Sequence, residues 1–445
     1  MITVVGMDGS PLGARAEAAL AAATLVAGAR RHLTAAPHGA RTVVLGELAP
    51  ALDALAAHDG DAVVLASGDP GFFGIARALR ERGLKFTVLP AVSSVALAFA
   101  RAGLPWDDAM VVSAHGRDLR RAVNVCRACR KVAVLTGPGA GPAQIGAALD
   151  GWERRLIVAE HLGSGAERIT ECSPAGAAQR AWADPNVVLV LAGSSGPSPG
   201  PGKVMNAAFI TEDADERHIH REPREAGAGG HAGAGWLAGG HRAPGGWALG
   251  EEEFDSRDAV LTKAEVRALA LARIAPGPGT LVWDVGAGSG SVAVECARFG
   301  AAVIAVEREA VRCARIRANA SRHGVDVRVL PGEAPGALER LPDPDAVFVG
   351  GGGPAVLAAV AARRPARIVV ALAAVERAGP AHAALAAAGY ATGGALVQAA
   401  RFAPLPGDVH RLAAINPVFL VWAAHGTTEP GGAAAHGFPG PGAAR

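Results

Sequence analysis

Leu281 to Gly290 reads L-V-W-D-V-G-A-G-S-G, and one beta-alpha unit further on stands Ala305-Val306-Glu307. This pairing restricts the possible folds more than any other stretch of the chain. Leu281 to Val285 is short, apolar and stopped by glycine, which predicts a buried strand. Glycines at 286, 288 and 290 let the backbone turn sharply and come close to a ligand before a helix begins near Ser291. Glu307 ends the next apolar run, Ala301 to Val306, where a carboxylate can accept hydrogen bonds from both hydroxyls of a ribose. A nucleoside-binding crevice follows, with the nucleoside still open.

At 445 residues the chain is too long for one core, so two or three domains are expected. Half of its residues are hydrophobic. The longest apolar candidate, Ala18 to Ala29, is still shorter than the ~18–20 residues a membrane helix needs. The opening Met1-Ile2-Thr3-Val4-Val5 is strand-like and lacks a basic leader, which predicts a soluble cytoplasmic protein. A net charge of +2 gives no field that favours nucleic acid or a membrane surface. Of the 43 basic residues only Lys85, Lys131, Lys203 and Lys263 are lysines. The arginine surplus fits a GC-rich genome or the recognition of carboxylates, which arginine forks pair bidentately. Among the five cysteines, Cys126 and Cys129 form a C-x-x-C. It has no second pair to complete a metal site and ends a helix rather than opening one, so reduced thiols and no metal are expected.

Residues 1 to 193 alternate short apolar runs with amphipathic segments, a rhythm that predicts alpha/beta layers with largely parallel sheets. Strands are expected at 3–5, 42–45, 62–66, 85–89, 110–113, 132–136, 156–159 and 187–191. Residues 194–247 are dominated by Gly, Ala, Pro, Ser and His. They read as a flexible linker whose histidines (His218, His220, His231 and His241) are solvated. A second domain is expected over 248–425, followed by a disordered tail at 426–445. Its strands are expected at 280–284, 302–306, 327–330, 346–349, 368–371, 395–401 and 417–421, giving a doubly wound sheet closed by an antiparallel hairpin.

The G-x-G-x-G spacing departs from the G-x-G-x-x-G that packs a dinucleotide pyrophosphate against a helix. S-adenosylmethionine carries no phosphate and needs only close backbone approach and an acid for its ribose. The loop alone leaves both a methyl donor and a nicotinamide dinucleotide possible. Glu333 can accept from an adenine amino group, and Gly350 to Gly353 leave bare backbone beside the strand tips. Both features favour the methyl donor.

Residues 248 to 422 resemble the C15-methylating, decarboxylating family of cobalamin biosynthesis. The resemblance rests on Glu251-Glu252-Glu253-Phe254, T-K-A-E-V-R-A-L (Thr262 to Leu269), the D-V-G-A-G-S-G loop, L-P-D-P-D-A-V-F-V-G-G (Leu341 to Gly351) and Ala414 to Phe419. The first domain resembles the C5-methylating branch of the tetrapyrrole methylase family. Its matching stretches are S-G-D-P-G-F-F-G (Ser67 to Gly74), L-P-A-V-S-S-V (Leu89 to Val95), G-L-P-W (Gly103 to Trp106) and S-A-H-G-R (Ser113 to Arg117). It departs at Val5 to Ser10, which lack that family's G-x-G-P-G loop.

The resemblance implies a two-lobed tetrapyrrole methylase fold followed by a Rossmann-like class I methyltransferase fold. It implies methylation of precorrin-6 at C5 and C15 with loss of the C12 acetate carboxyl, giving precorrin-8. The donor would contact Gly68, Asp69, Pro70, Ser93 and Ser94 in the first domain. In the second it would contact Thr262, Asp284, Gly286, Gly288, Gly290, Glu307, Glu333, Gly350 and Gly351. His115, Arg117 and Lys263 are the candidate catalytic side chains, and Thr262 reads as a helix cap. Arg120, Arg121, Arg401, His410 and Arg411 are candidate clamps for substrate carboxylates. Relatives of the second domain imply a homo-oligomer formed through it. A nicotinamide-dependent dehydrogenase, or a methyltransferase with a non-catalytic first domain, remain the alternative readings.

Overall fold

A computed structural model describes residues 1–46, 48–193, 203–204, 237–239, 244–256 and 261–425. It divides into two compact units, Met1–Arg242 and Ala243–Arg445. Most of the expected linker, its four histidines and the tail from 426 lie outside the described residues.

The first unit begins with a sheet of β1 (Ile2–Met7), β2 (Leu25–Gly28), β3 (Arg41–Val44), β4 (Ala62–Ser67) and β5 (Phe86–Leu89), in the order β3-β2-β4-β1-β5. Every pairing in it is parallel. Helices therefore cover both faces, and the central strands β1, β2 and β4 are buried almost end to end. The strand β2 was not expected. Its four residues continue the alanine-rich run of the helix Ala14–Ala22, so the local pattern has no visible break.

The second sheet contains β6 (Met110–Ser113), β7 (Lys131–Leu135), β8 (Arg154–Glu160), β9 (Arg168–Cys172), β10 (Asn186–Ala192), β11 (Lys203–Val204) and β12 (Leu237–Ala238), ordered β11-β9-β8-β10-β7-β6-β12. Here the expectation of a largely parallel sheet is corrected. Only β6 and β7 pair in parallel; the other pairings are antiparallel. The reason is local: β8 and β9 are joined by a short Gly/Ser loop without a helix, so the chain returns beside itself. The edge strands β11 and β12 come from the stretch expected to be linker and extend the first unit to Arg242.

The second unit is one sheet of β13 (Leu281–Val285), β14 (Ala302–Glu307), β15 (Arg328–Pro331), β16 (Ala346–Val349), β17 (Arg367–Leu372), β18 (Ala391–Val397) and β21 (Val418–Ala424), with the hairpin β19 (Ala400–Leu405) and β20 (Val409–Ala414) inserted before the last strand. The order β15-β14-β13-β16-β17-β21-β18 reverses direction between β13 and β16. That reversal opens a crevice at the strand tips where ligands of doubly wound sheets bind. The expected strand 395–401 is split between β18 and β19, because the chain leaves the sheet to build the hairpin. In β13 and β14 every residue is buried, including Trp283, Asp284 and Glu307.

Candidate functional site

In the second unit the loop after β13 holds Gly286, Gly288 and Gly290 at φ +73, +58 and +77. The left-handed region excludes most side chains at these three positions. A Cβ on Gly286 would lie 2.9 Å from the backbone nitrogen of Gly351, and one on Gly290 would lie 2.8 Å from Cγ2 of Ile316. At Gly286 and Gly290, therefore, packing alone already excludes a side chain. The run Gly350 to Gly353 includes backbone that rests on the Gly286 loop.

Glu307 is 5% exposed. Its carboxylate accepts from Gly288 N–H at 2.9 Å and from Glu309 N–H at 3.1 Å, so one side chain ties the loop after β13 to the loop after β14. Asp284, 1% exposed, accepts from Ala293 N–H at 2.9 Å through Oδ2, while its buried Oδ1 has no partner. Burial, reinforced by the charge of Glu307, pushes its carboxyl up to about 7. Glu333 stands at the crevice mouth, exposed and ion-paired with Arg308 at 3.3 Å.

Several expectations change here. Thr262 is not the helix cap: Lys263 occupies the cap position of Ala264–Ile274 and makes no side-chain cap bond, while the Thr262 carbonyl accepts from Arg267. The Glu251 carboxyl is held low chiefly by its hydrogen bond from Arg401, with the charge of Lys263 a minor addition. Arg401 is not a free clamp. Its guanidinium donates to Glu265 at 2.7 and 2.8 Å and is forked onto Glu251, because two acidic residues from the segment before the sheet face it. His410 and Arg411 lie exposed on β20, and His410 meets Phe402 edge-on rather than a charged partner.

Two of the stretches that carried the resemblance, Thr262 to Leu269 and Leu341 to Gly351, supply scaffold contacts. Arg267 is fully buried against Glu295 at 3.2 Å. Asp345 accepts from Leu281 N–H at 2.7 Å, and Asp343 pairs with Arg363 at 2.9 Å. Sequence reasoning missed Asn319, which donates to the Ser289 carbonyl at 2.9 Å and accepts from Asp255 N–H at 2.9 Å, tying the glycine loop to the segment before the sheet. Also missed was a largely apolar cavity of about 260 Å³ beside Gly352 and Gly353, walled by Val349, Leu357, Val370 and Leu372, with Glu376 and Arg377 among its lining.

In the first unit the strand tips of β1 and β4 meet the loop after β5. Gly68 (φ +65) donates to the Met7 carbonyl at 2.7 Å, and a Cβ on it would lie 3.0 Å from Ser94 N. Gly6 is tighter still: a Cβ there would lie 2.6 Å from Ala91 N and 2.7 Å from the Gly68 carbonyl. One glycine therefore supplies the close approach despite the missing G-x-G-P-G loop. Asp8 accepts from Val92 N–H and from Ser10, and the Ser10 hydroxyl contributes most to holding its carboxyl below the usual range. Asp69 accepts from Gly71 N–H at 2.8 Å, shaping the S-G-D-P-G turn that contains Pro70. The Ser93 hydroxyl caps the helix Ser94–Ala102 by accepting from Ala96 N–H.

After β6, a cavity of about 410 Å³ is lined by Ser113, Arg117, Asp118 and Arg121. Arg120 is not among its lining residues. His115 is exposed, with its Nδ1 3.2 Å from the Thr136 carbonyl. Asp118 caps the next helix, Leu119–Ala128, so the two lining arginines flank a helix start.

Fold and crevices define the class: two alpha/beta domains of methyltransferase type joined in one chain. Residues 5–177 match the model of the tetrapyrrole (corrin/porphyrin) methylases, and residues 253–424 match that of the precorrin methyltransferase domain. The chain is 35% identical to the precorrin-6Y C(5,15)-methyltransferase (decarboxylating) of Sinorhizobium sp, over 79% of this chain and 78% of the relative. It is 33% identical to the Mycobacterium tuberculosis protein of the same name, over 79% and 81%. The crystal structure of the C-terminal domain of the Rhodobacter capsulatus precorrin-6Y C5,15-methyltransferase is 34% identical; the match covers 40% of this chain and 96% of that one, with a TM-score of 0.35. The chain belongs to the precorrin-6Y C(5,15)-methyltransferase (decarboxylating) family.

Proposed function

We propose that this chain methylates a precorrin-6 ring at C5 with its first domain and at C15 with its second, and removes the C12 acetate carboxyl. The observation that carries this is the 35% identity running through both domains of a relative whose name joins both methylations to decarboxylation. When bound, S-adenosylmethionine supplies an electrophilic methyl group. In the second domain, on this reading, the three positive-φ glycines give the donor its close approach. The buried Glu307 at the tip of β14 is the acceptor for its ribose, and the exposed Glu333 the acceptor for its adenine edge. The bare backbone of the loop after β13 supports this assignment. In the first, Gly6, Gly68, Asp69, Pro70, Ser93 and Ser94 form the corresponding loops.

The reduced tetrapyrrole is itself enamine-like and nucleophilic at its meso carbons, so the chain needs no activated nucleophile. Its task is alignment, which can contribute ~7–11 kcal/mol. Arg117 and Arg121 hold substrate carboxylates at the first site, with His115 beside them for proton movement. At the second site the apolar cavity beside Gly352 excludes water from the departing carboxyl. Arg401 serves the scaffold instead, and Lys263 acts on Glu251.

The second domain also pairs with copies of itself through the face of β19–β20 that exposes Phe402 and Leu412. No helix among the described residues is long and apolar enough to cross a membrane, and we place the chain in the cytoplasm. Mass spectrometry of precorrin-6B incubated with isotopically labelled donor tests the reading. Two labelled methyls gained and one carbon dioxide lost is the expected result; a single methyl with the carboxyl retained overturns it.

A further inference from the structure

The three side chains of Arg31, His32 and Ser67 meet at the carboxyl-terminal tips of the first parallel sheet. Ser67 is the last residue of β4 and stands directly before Gly68-Asp69-Pro70; Arg31 and His32 follow the end of its parallel neighbour β2. Arg31 Nη2 donates to Ser67 Oγ at 2.6 Å, and His32 Nε2 lies 2.9 Å from the same oxygen. Burial, and then the charge of Arg31, pull His32 down to about 4, so its ring is neutral. Ser67 accepts from the guanidinium and is itself held by its hydrogen bond with the imidazole, which fixes the arginine head in one orientation.

One of the five guanidinium N–H groups is used in this way. Among the described residues no carboxylate lies within ion-pair distance of Arg31, and Asp69, two residues after Ser67, accepts from Gly71 N–H. A fixed cation with unused forked donors, at the sheet end where ligands of parallel sheets bind, is built to receive a planar anion.

We propose that Arg31, oriented by Ser67 and His32, is a carboxylate-binding site of the first domain. It rests on reading that domain as the C5 methylase. Two carboxylates are within this chemistry: that of the donor's methionine portion and an acetate or propionate of the ring.

The test uses the full chain with Arg31→Ala and Ser67→Ala, and C15 methylation by the same chain serves as the fold control. S-adenosylhomocysteine and 5′-methylthioadenosine, which lacks the carboxylate, are titrated in parallel, and KM for the tetrapyrrole is measured for C5 methylation. Loss of a charge-assisted contact predicts a change of roughly 10- to 100-fold for Arg31→Ala, and a smaller one for Ser67→Ala. If S-adenosylhomocysteine weakens by that factor at the first site and methylthioadenosine does not, the carboxylate is the donor's. If KM for the ring rises instead, with donor binding and kcat kept, it is the substrate's. Unchanged constants in both variants, beside normal wild-type C5 turnover, overturn the site. A wild-type chain that leaves C5 unmethylated defeats the underlying reading instead.

Discussion

Gly290→Ala separates two demands that the second crevice makes on one residue. The position lies at φ +77 and precedes the helix Ser291–Arg298, so an alanine there meets left-handed backbone strain of about 1–2 kcal/mol. Its Cβ would also sit 2.8 Å from Cγ2 and 3.0 Å from Cγ1 of Ile316, a fully buried side chain. Overpacking of that kind costs about 1–3 kcal/mol, so the substitution should destabilise the second domain by roughly 2–5 kcal/mol. A double-mutant cycle with Ile316→Ala divides the total. Removing the ethyl and methyl branches relieves the clash and leaves the strain, so the two changes should couple favourably by about 1–3 kcal/mol. Urea unfolding of the full chain, followed beside S-adenosylhomocysteine binding at the second site, gives both numbers. A stability change within ~0.5 kcal/mol of wild type for Gly290→Ala, or zero coupling to Ile316→Ala, would refute this account of the glycine.

Other consequences can be checked as directly. The raised pKa of Asp284 means that folding favours its protonated form, so its penalty is absent below about pH 4, grows as pH rises and is complete above about pH 7. Relative to wild type, Asp284→Asn should therefore gain about 2–3 kcal/mol between roughly pH 5 and pH 8; a difference that does not vary with pH contradicts the assignment. Glu251 behaves in the opposite sense. Its hydrogen bond from Arg401 holds it at about 2, so the stability it contributes is present above its ordinary value near 4.5 and is lost as pH falls toward 2. Arg401→Met should remove that acid sensitivity and cost about 1 kcal/mol in a partly exposed, screened cluster, with ring KM for C15 methylation unchanged. A large KM effect would restore Arg401 as a clamp. Gly6→Ala should abolish donor binding at the first site while C15 methylation persists, because its Cβ would press on two backbones at once. Phe402→Glu should dissociate the proposed oligomer in sedimentation experiments; a native assembly that sediments unchanged would place the interface elsewhere.

Much of the second domain could be read locally. The run from Leu281 to Gly290 carries its own strand, its turn and the start of its helix, and Glu307 follows at the spacing that a neighbouring parallel strand requires. Such features are encoded within a few residues, because backbone conformation and the hydrophobic period are local properties. The break after Gly193 was visible as a change of composition, but the unit boundary was not, because β11 and β12 from that stretch pair with strands of the first unit.

Other features depended on partners far away in the sequence. Nothing around Arg401 announces that Glu251 and Glu265 will neutralise it from about 150 and 136 residues away. Gly350 to Gly353 read as an open ligand loop, and only the approach of Gly286 assigns part of that bareness to packing between two backbones. The second sheet of the first unit turned antiparallel because strand direction depends on how the connections run in space, which strand-like composition does not encode. Arg31, His32 and Ser67 are unremarkable apart, and two adjacent strand tips bring them to one oxygen. Sequence determined which segments could be strands and which loops could admit a ligand. Tertiary structure decided which charges stay available, because a long-range neighbour either neutralises an arginine or leaves it open to an anion.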